Sequence, residues 1–289
     1  MSGQPLQSSS RPFAVGLVLG GAVSVQIGAA VATTLFDELG PGGTVLLRIG
    51  FAALALLAIW RPVARGLSGI ARRDILLFGI ALGAMNWSFY EALDRIPLGI
   101  AVTLEFVGPL GVAIASSRRA TDLLWVALAG AGILLLSPAP GGSLDALGAG
   151  LALLAGAFWA AYILLSARVG RTFAGGTGLA LAMVVATLVV LPAGVVDGGD
   201  GLADPSLLLV GLGVAALSSA IPYSLELEAL RRLPPGTFGV LMSLEPAFAA
   251  TVGYLGLDQG LAAREVLAIT LVVAASAGAL RSAPPAIDA

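Results

Sequence analysis

Ten runs of mostly apolar residues follow one another along this chain, separated only by short polar punctuation: 13–34, 43–60, 74–93, 98–116, 123–138, 147–167, 177–195, 206–228, 236–256 and 263–281. A membrane-spanning helix needs about 20 such residues. In hydrocarbon every backbone N–H and C=O must be bonded within protein, which restricts spanning structures to helices and closed barrels. Barrel strands alternate in polarity over segments of about ten residues. These runs do not alternate, and Ala, Leu and Gly dominate them. The sequence therefore predicts an all-α polytopic membrane protein with ten transmembrane helices. The breaks between spans are expected at Gly40-Pro41-Gly42-Gly43, Arg61-Pro62, Ile96-Pro97, Ser117-Arg118-Arg119, Pro138 to Gly142, Arg168 to Arg171, Asp197 to Asp204, Leu233-Pro234-Pro235 and Asp258 to Gly260.

Composition narrows the function classes. Charged residues are 11% of the chain, against about 25% in a soluble domain, too few to cover a water-facing surface. Ten helices use roughly 200 residues, which leaves no space for a second, soluble domain among the 289. The chain has no Cys and no His, so no disulfide, thiolate nucleophile, or zinc or haem site is expected, and neither a metal nor a cofactor. Its carboxylates show no hydrolase spacing, which argues against an intramembrane enzyme. A net charge of −2 does not suit nucleic acid.

Charge placement tests the span count. With the N-terminus cytoplasmic, that side carries Arg11, Arg61, Arg65, Arg72, Arg73, Arg118, Arg119, Arg168, Arg171, Arg231, Arg232 and Arg281, and the other side only Arg95 and Arg264. Loop Arg is retained on the cytoplasmic side during insertion, so both termini are expected inside. The outer loops collect Asp37, Glu38, Asp94, Asp145, Asp197, Asp200, Asp204, Asp258 and Glu265. Adding or dropping one span would scramble this pattern. The small-residue site at Ala30-Val31-Ala32 resembles a leader cleavage site, but removing the first span would break the topology, so the span is expected to stay.

A shift of 137 residues aligns Glu91-Ala92-Leu93-Asp94-Arg95-Ile96-Pro97-Leu98-Gly99 with Glu228-Ala229-Leu230-Arg231-Arg232-Leu233-Pro234-Pro235-Gly236, and Pro109 with Pro246. Each copy then holds five spans, 13–138 and 147–281. Five is odd, so the second copy enters the membrane inverted. Inverted repeats are common in secondary transporters, where the two halves exchange conformations to give alternating access.

Inside the spans, Pro109 and Pro246 leave the carbonyls of Glu105 and Met242 without their usual donor. Such a carbonyl must face a neighbour, a water or a ligand. A kink used only for packing is the plain alternative, and a repeat-related pair favours kinks bordering a central cavity. Pro222 has no such counterpart. Glu105 and Glu245 lie roughly 10–14 Å deep at 1.5 Å per residue, where a charge must pair, protonate or face water. Arg48 is the intramembrane cation: it either pairs with one of these glutamates or snorkels outward. Glu91 and Glu228 sit at opposite rims. Polar and aromatic residues share helical faces: Asn86 with Tyr90, Ser219 with Tyr223 and Glu226, and Trp159 with Tyr162 and Ser166, while Gln26 is the main polar group of the first span. A cavity with amide, hydroxyl and aromatic groups suits a small zwitterion. Interfacial aromatics and interhelical hydrogen bonds are the alternative, which suits Trp87 and Tyr254 better. Small-residue pairs such as Gly16/Gly20 and Gly79/Gly83 permit close packing.

The runs Phe89-Tyr90-Glu91-Ala92-Leu93, Ile96-Pro97-Leu98-Gly99-Ile100-Ala101-Val102, Leu104-Glu105-Phe106-Val107-Gly108-Pro109-Leu110, Ser116-Ser117-Arg118-Arg119, Pro222-Tyr223-Ser224-Leu225-Glu226 and Leu241-Met242-Ser243-Leu244-Glu245-Pro246 resemble the drug/metabolite transporter superfamily. Within it they are similar to EamA-domain amino-acid exporters, the bacterial threonine/homoserine exporters above all. The resemblance runs from about residue 13 to 281 and implies export of amino acids across the bacterial inner membrane. Small neutral substrates such as threonine or homoserine are implied, with aromatic ones tolerated and protons as a candidate coupling partner. It implies a cavity lined mainly by spans one, three, four, six, eight and nine, with spans five and ten peripheral. The substrate-binding candidates are then Gln26, Asn86, Tyr90, Glu105, Trp159, Tyr223 and Glu245. Export of drugs or other small metabolites, and a non-transporting membrane scaffold, are the competing readings.

Overall fold

A chain in lipid satisfies its backbone by coiling, and small residues let the coils approach closely. In the computed structural model the described residues are 10–62, 67–115, 122–136, 145–173, 175–230, 232, 238 and 241–282, and no strand occurs among them. The helices are α1 (Ser10–Thr33), α2 (Phe36–Trp60), α3 (Gly69–Leu93), α4 (Leu98–Glu105), α5 (Val107–Ala115), α6 (Asp122–Leu136), α7 (Ala146–Thr172), α8 (Thr177–Gly198), α9 (Pro205–Ala215), α10 (Ile221–Leu230), α11 (Glu245–Gly256) and α12 (Ala263–Ser282). α4 and α5 together occupy the fourth expected span, and α9 and α10 the eighth, joined there by a π-helical turn over Ala216–Ala220. α11 forms the second part of the ninth. Among the described residues α1, α2, α3, α7 and α8 are each long and apolar enough to cross a membrane.

Several boundaries differ from the sequence reading; α7, for one, runs through the break expected at Arg168 to Arg171 as far as Thr172. α2 begins at Phe36, not Gly43. Gly40 breaks the helix with φ +60°, ψ 172°, and Pro41 restarts it, because proline's fixed φ and missing N–H suit a first helical turn. Gly42 and Gly43 then form a contact surface for α8: a Cβ at Gly42 would lie 3.1 Å from the Ala193 carbonyl oxygen, and one at Gly43 2.9 Å from Gly198 Cα. The Gly42 N–H also donates to Asp197 Oδ2 at 3.0 Å. What reads as a loop is a close helix crossing. α3 likewise starts earlier than expected, at Gly69, where the Ser68 hydroxyl accepts the Ala71 N–H at 3.2 Å. α9 is capped by Asp204, whose Oδ1 accepts from the Ser206 hydroxyl at 2.6 Å and the Ser206 N–H at 2.7 Å. The Ser206 hydroxyl first, then the Ser206 and Leu207 N–H groups, hold this exposed carboxyl below the usual carboxylate range.

The spans pack in defined pairs. α2 lies on α8, α3 on both α7 and α8, α6 on α12, and α1 on α10, the π-turn and α11. α4 packs on α11, α4 and α5 on α7, and α2 on α9. Gly79 and Gly83 serve the α3–α8 crossing: a Cβ at Gly79 would lie 2.6 Å from the Ala182 carbonyl oxygen, and one at Gly83 3.0 Å from that of Ala186. Among the described residues nothing lies within 4 Å of a Cβ at Gly16, and one at Gly20 meets only Leu225 at 3.8 Å, so that pair makes no close crossing with them. Trp87 and Tyr254 are exposed, as belt residues are.

Both paired prolines sit just after a helix interruption. Phe106 separates α4 from α5 three residues before Pro109, and Ser243 interrupts the ninth span three residues before Pro246. Phe106 and Ser243 are themselves 137 residues apart. Residues at both interruptions, Glu105 and Phe106 at the first and Met242 and Glu245 at the second, line one cavity.

Candidate functional site

The cavity is about 490 Å³, and α1, α2, α3, α4, α5, α7, the π-turn, the ninth span and α12 all contribute to its lining. The expected wall elements are present. Span two adds Arg48, and span ten adds Ser276.

α4 ends on Glu105, which is buried and lines the cavity, and α11 begins on Glu245, also buried and lining it. Phe106, in the gap after α4, stacks edge-to-face on Trp159 of α7, with ring centroids 5.4 Å apart and planes at 89°. This pair forms an aromatic wall beside Glu105. Asn86 of α3 lines the cavity while its Nδ2 donates to the Leu82 carbonyl at 2.9 Å. Gln26 of α1 is 2% exposed, and its Oε1 has no hydrogen-bond partner among the described residues. Pro109 lines the cavity, and Pro246 is buried as the second residue of α11. Tyr90 is fully buried and is not among the lining residues. Tyr223 lies on α10, with its side chain outside the described residues. Tyr162 also lines the cavity, whereas the Ser166 hydroxyl donates to the Ile163 carbonyl at 3.0 Å. At the rims Glu91 accepts from Trp87 Nε1 at 3.1 Å, and Glu228 from Arg232 Nε at 3.0 Å.

Arg48 does not snorkel. α2 starts seven residues earlier than the apolar run suggests and restarts at Pro41 after the Gly40 break, and Arg48 lies seven residues beyond that restart. Its guanidinium lies 5.4 Å from the centroid of the Tyr90 ring, Nη1 donates to the Tyr90 hydroxyl at 3.4 Å, and Nη2 to the Ser218 carbonyl at 3.5 Å. Both bonds are long, so they steer the group more than they clamp it. Arg48 lines the same cavity as Glu105 and Glu245.

The three prolines share one logic. A proline at position i cannot serve the carbonyl at i−4. For Pro109, Pro222 and Pro246 those residues are Glu105, Ser218 and Met242, and all three line the cavity. The π-turn falls over the one that Pro222 affects; such turns mark functional sites in many helices. Proline spacing therefore carried a signal for Ser218 that the repeat did not. Ser218 and Ser276 line the cavity with buried hydroxyls that have no hydrogen-bond partner among the described residues. Nothing in the sequence marked Ser276.

Comparison with known proteins adds the following. The model of the EamA-like transporter family matches residues 146–281. The chain is 44% identical over 257 residues to the threonine/homoserine exporter RhtA of Salmonella typhimurium (strain LT2), covering 88% of this chain and 87% of that protein. It is 43% identical over 257 residues, with the same coverage, to the protein of that name from Escherichia coli (strain K12). A solved crystal structure shares the fold with a TM-score of 0.62 at 18% identity, covering 94% of this chain and 98% of the other.

Proposed function

Since the chain belongs to the EamA-like transporter family, and one mid-bundle cavity joins Arg48 to Glu105 and Glu245, we propose that it exports small neutral amino acids such as threonine and homoserine across the bacterial inner membrane. The observation that carries this reading is that acidic and basic side chains line one cavity. A zwitterion presents a carboxylate and an ammonium, and a site with only one sign would leave one of them desolvated and unpaired, at a cost of several kcal/mol. The volume of about 490 Å³ falls in the small-molecule range, and it holds an aliphatic amino acid with space to spare. The Phe106–Trp159 wall gives aromatic side chains an apolar surface, so tolerance for them is part of the reading. It also favours export of other small metabolites as the second reading.

The carrier works by alternating access between two inverted halves, 13–138 and 147–281. Three observations support this arrangement. The interruptions at Phe106 and Ser243 recur at the repeat offset. The most extensive packings of spans recur when each of the first five is exchanged with the span five places on: two–seven, four–nine and five–ten map onto themselves, and three–six, three–seven and four–six onto one–eight, two–eight and one–nine. The family match at 146–281 covers the second half. The Arg distribution supports cytoplasmic termini. Gln26, Asn86, Glu105, Trp159 and Glu245 contact the substrate, Tyr223 joins them from α10, and Tyr90 acts from behind the wall. Glu105 and Glu245 are the groups through which proton coupling runs.

The test is a substrate panel in reconstituted liposomes: efflux of labelled threonine, competed by homoserine, aromatic amino acids and non-amino-acid drugs. Competition by homoserine but not by amines or carboxylic acids that lack the other charge is expected. Equal competition by drugs moves the assignment to the second reading, and no solute crossing at all moves it to a membrane scaffold.

A further inference from the structure

We infer that Ser276 of α12 is a specificity-determining residue: its hydroxyl bonds the side-chain hydroxyl of straight-chain substrates such as homoserine, while Ser218, on a separate wall, serves the branched isomer threonine. This rests on the amino-acid-carrier reading above and brings span ten, expected at the periphery, into substrate recognition.

The first observation is where the spare hydrogen-bonding capacity lies. Among the described residues four buried side-chain oxygens have no hydrogen-bond partner. Gln26 Oε1, Ser218 Oγ and Ser276 Oγ all belong to residues that line the cavity. The fourth, Asp74 Oδ1, lies 3.6 Å from Arg73 Nη2 in an ion pair. Ser276 is 1% exposed and six residues from the end of α12, about 9 Å along the axis, too deep for so short a side chain to reach the interface. Its chain neighbours are Ala274, Ala275 and Ala277. Alanine fills this stretch of the helix, so the oxygen is what position 276 adds. A hydroxyl in a buried helix can return to the carbonyl three or four residues back, and Thr270 of the same helix does so, donating to Val266 at 2.8 Å. Ser276 does not. A buried hydroxyl without a partner is costly, and a ligand hydroxyl in the cavity gives it both a donor and an acceptor.

The second observation is that the two serines stand on separate walls. The π-turn packs on α1, α2, α9 and α10, whereas α12 packs on α4, α5, α6 and α11, and the two sets share no helix. Gln26 belongs with Ser218: it lies on α1, whose Ser24 hydroxyl donates to the Leu217 carbonyl of the turn at 2.8 Å. That wall offers a carbonyl acceptor and a hydroxyl together, which matches the ammonium and the hydroxyl that threonine carries on adjacent carbons. In homoserine the hydroxyl is one carbon further out on an unbranched chain. A hydrogen bond survives only a few tenths of an ångström of stretch, so Ser218 cannot serve both isomers without displacing the ammonium. Ser276 supplies the second position.

The experiment compares equilibrium binding of homoserine, threonine and 2-aminobutyrate to the purified full-length protein. 2-Aminobutyrate is the deoxy analogue of both isomers, so it reports the zwitterion and the carbon chain alone. The wild type is expected to bind each hydroxy acid about fivefold more tightly than 2-aminobutyrate, the value of one neutral hydrogen bond. Ser276→Ala removes the advantage of homoserine and leaves both the advantage of threonine and the affinity for 2-aminobutyrate unchanged. If homoserine keeps its advantage, if all three ligands weaken alike, or if threonine loses its advantage instead, the inference is overturned. Should Ser276→Ala fail to fold, Ser276→Cys, which keeps the shape and offers only a weak donor, decides by the same comparison. A wild type that binds 2-aminobutyrate as tightly as homoserine removes this inference alone. A wild type that neither binds nor moves any of the three removes the carrier reading, and this inference with it.

Discussion

The N–H of Leu98, the first residue of α4, donates to the side-chain oxygen of Gln259 at 2.9 Å across 161 residues of chain. Gln259 lies between α11 and α12, so the bond ties the start of the fourth span to the end of the ninth. Glycines make space for it. A Cβ at Gly253 would lie 2.7 Å from Gln259 Oε1, and one at Gly99 2.6 Å from Ala250 Cα. At the repeat offset, Leu98 corresponds to Pro235, which has no N–H to give. This particular bond therefore has no equivalent at the repeat-related position.

Replacing Gln259 by Ala is expected to favour the state in which this end is open. One lost hydrogen bond to a helix-terminal N–H shifts such an equilibrium by about fivefold. The chain has no cysteine, so Ala29→Cys supplies a single thiol on the cavity wall. Its labelling by a membrane-impermeant maleimide added outside cells should rise severalfold in the Gln259→Ala background. Unchanged labelling would reduce the bond to a helix cap.

A second prediction concerns the interruption in the fourth span. A Cβ at Gly156 would lie 2.6 Å from the Glu105 carbonyl oxygen, the acceptor that Pro109 leaves without a donor. α7 thus packs directly on the break, and the Cα–H of Gly156 is what the carbonyl faces. Gly156→Ala must push α7 away, which costs about 1–3 kcal/mol as overpacking. The melting temperature in detergent should drop by several degrees and threonine efflux with it. Gly111→Ala, where no atom lies within 4 Å of the added Cβ, is the control and should melt like the wild type.

The all-helical fold, the interrupted fourth span and the inward placing of Glu105 and Glu245 were legible in the sequence because hydropathy and proline are local signals. Depth was not. Gly40-Pro41-Gly42-Gly43 has loop composition, yet its missing side chains serve the contact with α8, and only that contact shows that α2 continues. The error displaced Arg48 toward the interface and made it look able to snorkel. Tyr90 shared a helical face with Asn86, which marked it as a lining candidate. Periodicity could not show that Arg48 would come between Tyr90 and the cavity, because that contact joins different spans.

A third prediction follows from which hydroxyls return to their own helix. Those of Thr103, Thr187, Thr251 and Thr270 each donate to the carbonyl four residues back, the usual solution in a buried helix. Ser218 does not; its hydroxyl is buried on the π-turn beside Arg48, with no hydrogen-bond partner among the described residues. An unused hydroxyl there is available to the hydroxyl of threonine. Ser218→Ala should reduce the preference for threonine over 2-aminobutyrate, its deoxy analogue, by about fivefold, the worth of one neutral hydrogen bond. Transport of 2-aminobutyrate should stay the same. If both substrates slow together, the hydroxyl serves the packing of the turn.

The last prediction concerns Glu105 and Glu245, which flank the two interruptions and share the cavity with the one intramembrane arginine. Carboxylates at this depth are retained only where they pair, exchange protons or meet a ligand, and a glutamine keeps their shape while removing both charge and proton exchange. If the carrier couples to protons, threonine efflux from liposomes differs between about pH 6 and about pH 8, because the number of bound protons differs between its two states. Glu105→Gln is expected to abolish that difference. Glu245→Gln is expected to raise the threonine KM at both values, since it sits nine residues into the opposite half-span and meets the ammonium from the other side. The two effects are separable in one set of initial-rate curves. Should both variants keep the wild-type pH dependence and KM, the glutamates serve the fold alone, and the ammonium must be held by Gln26 Oε1 and the neighbouring carbonyls.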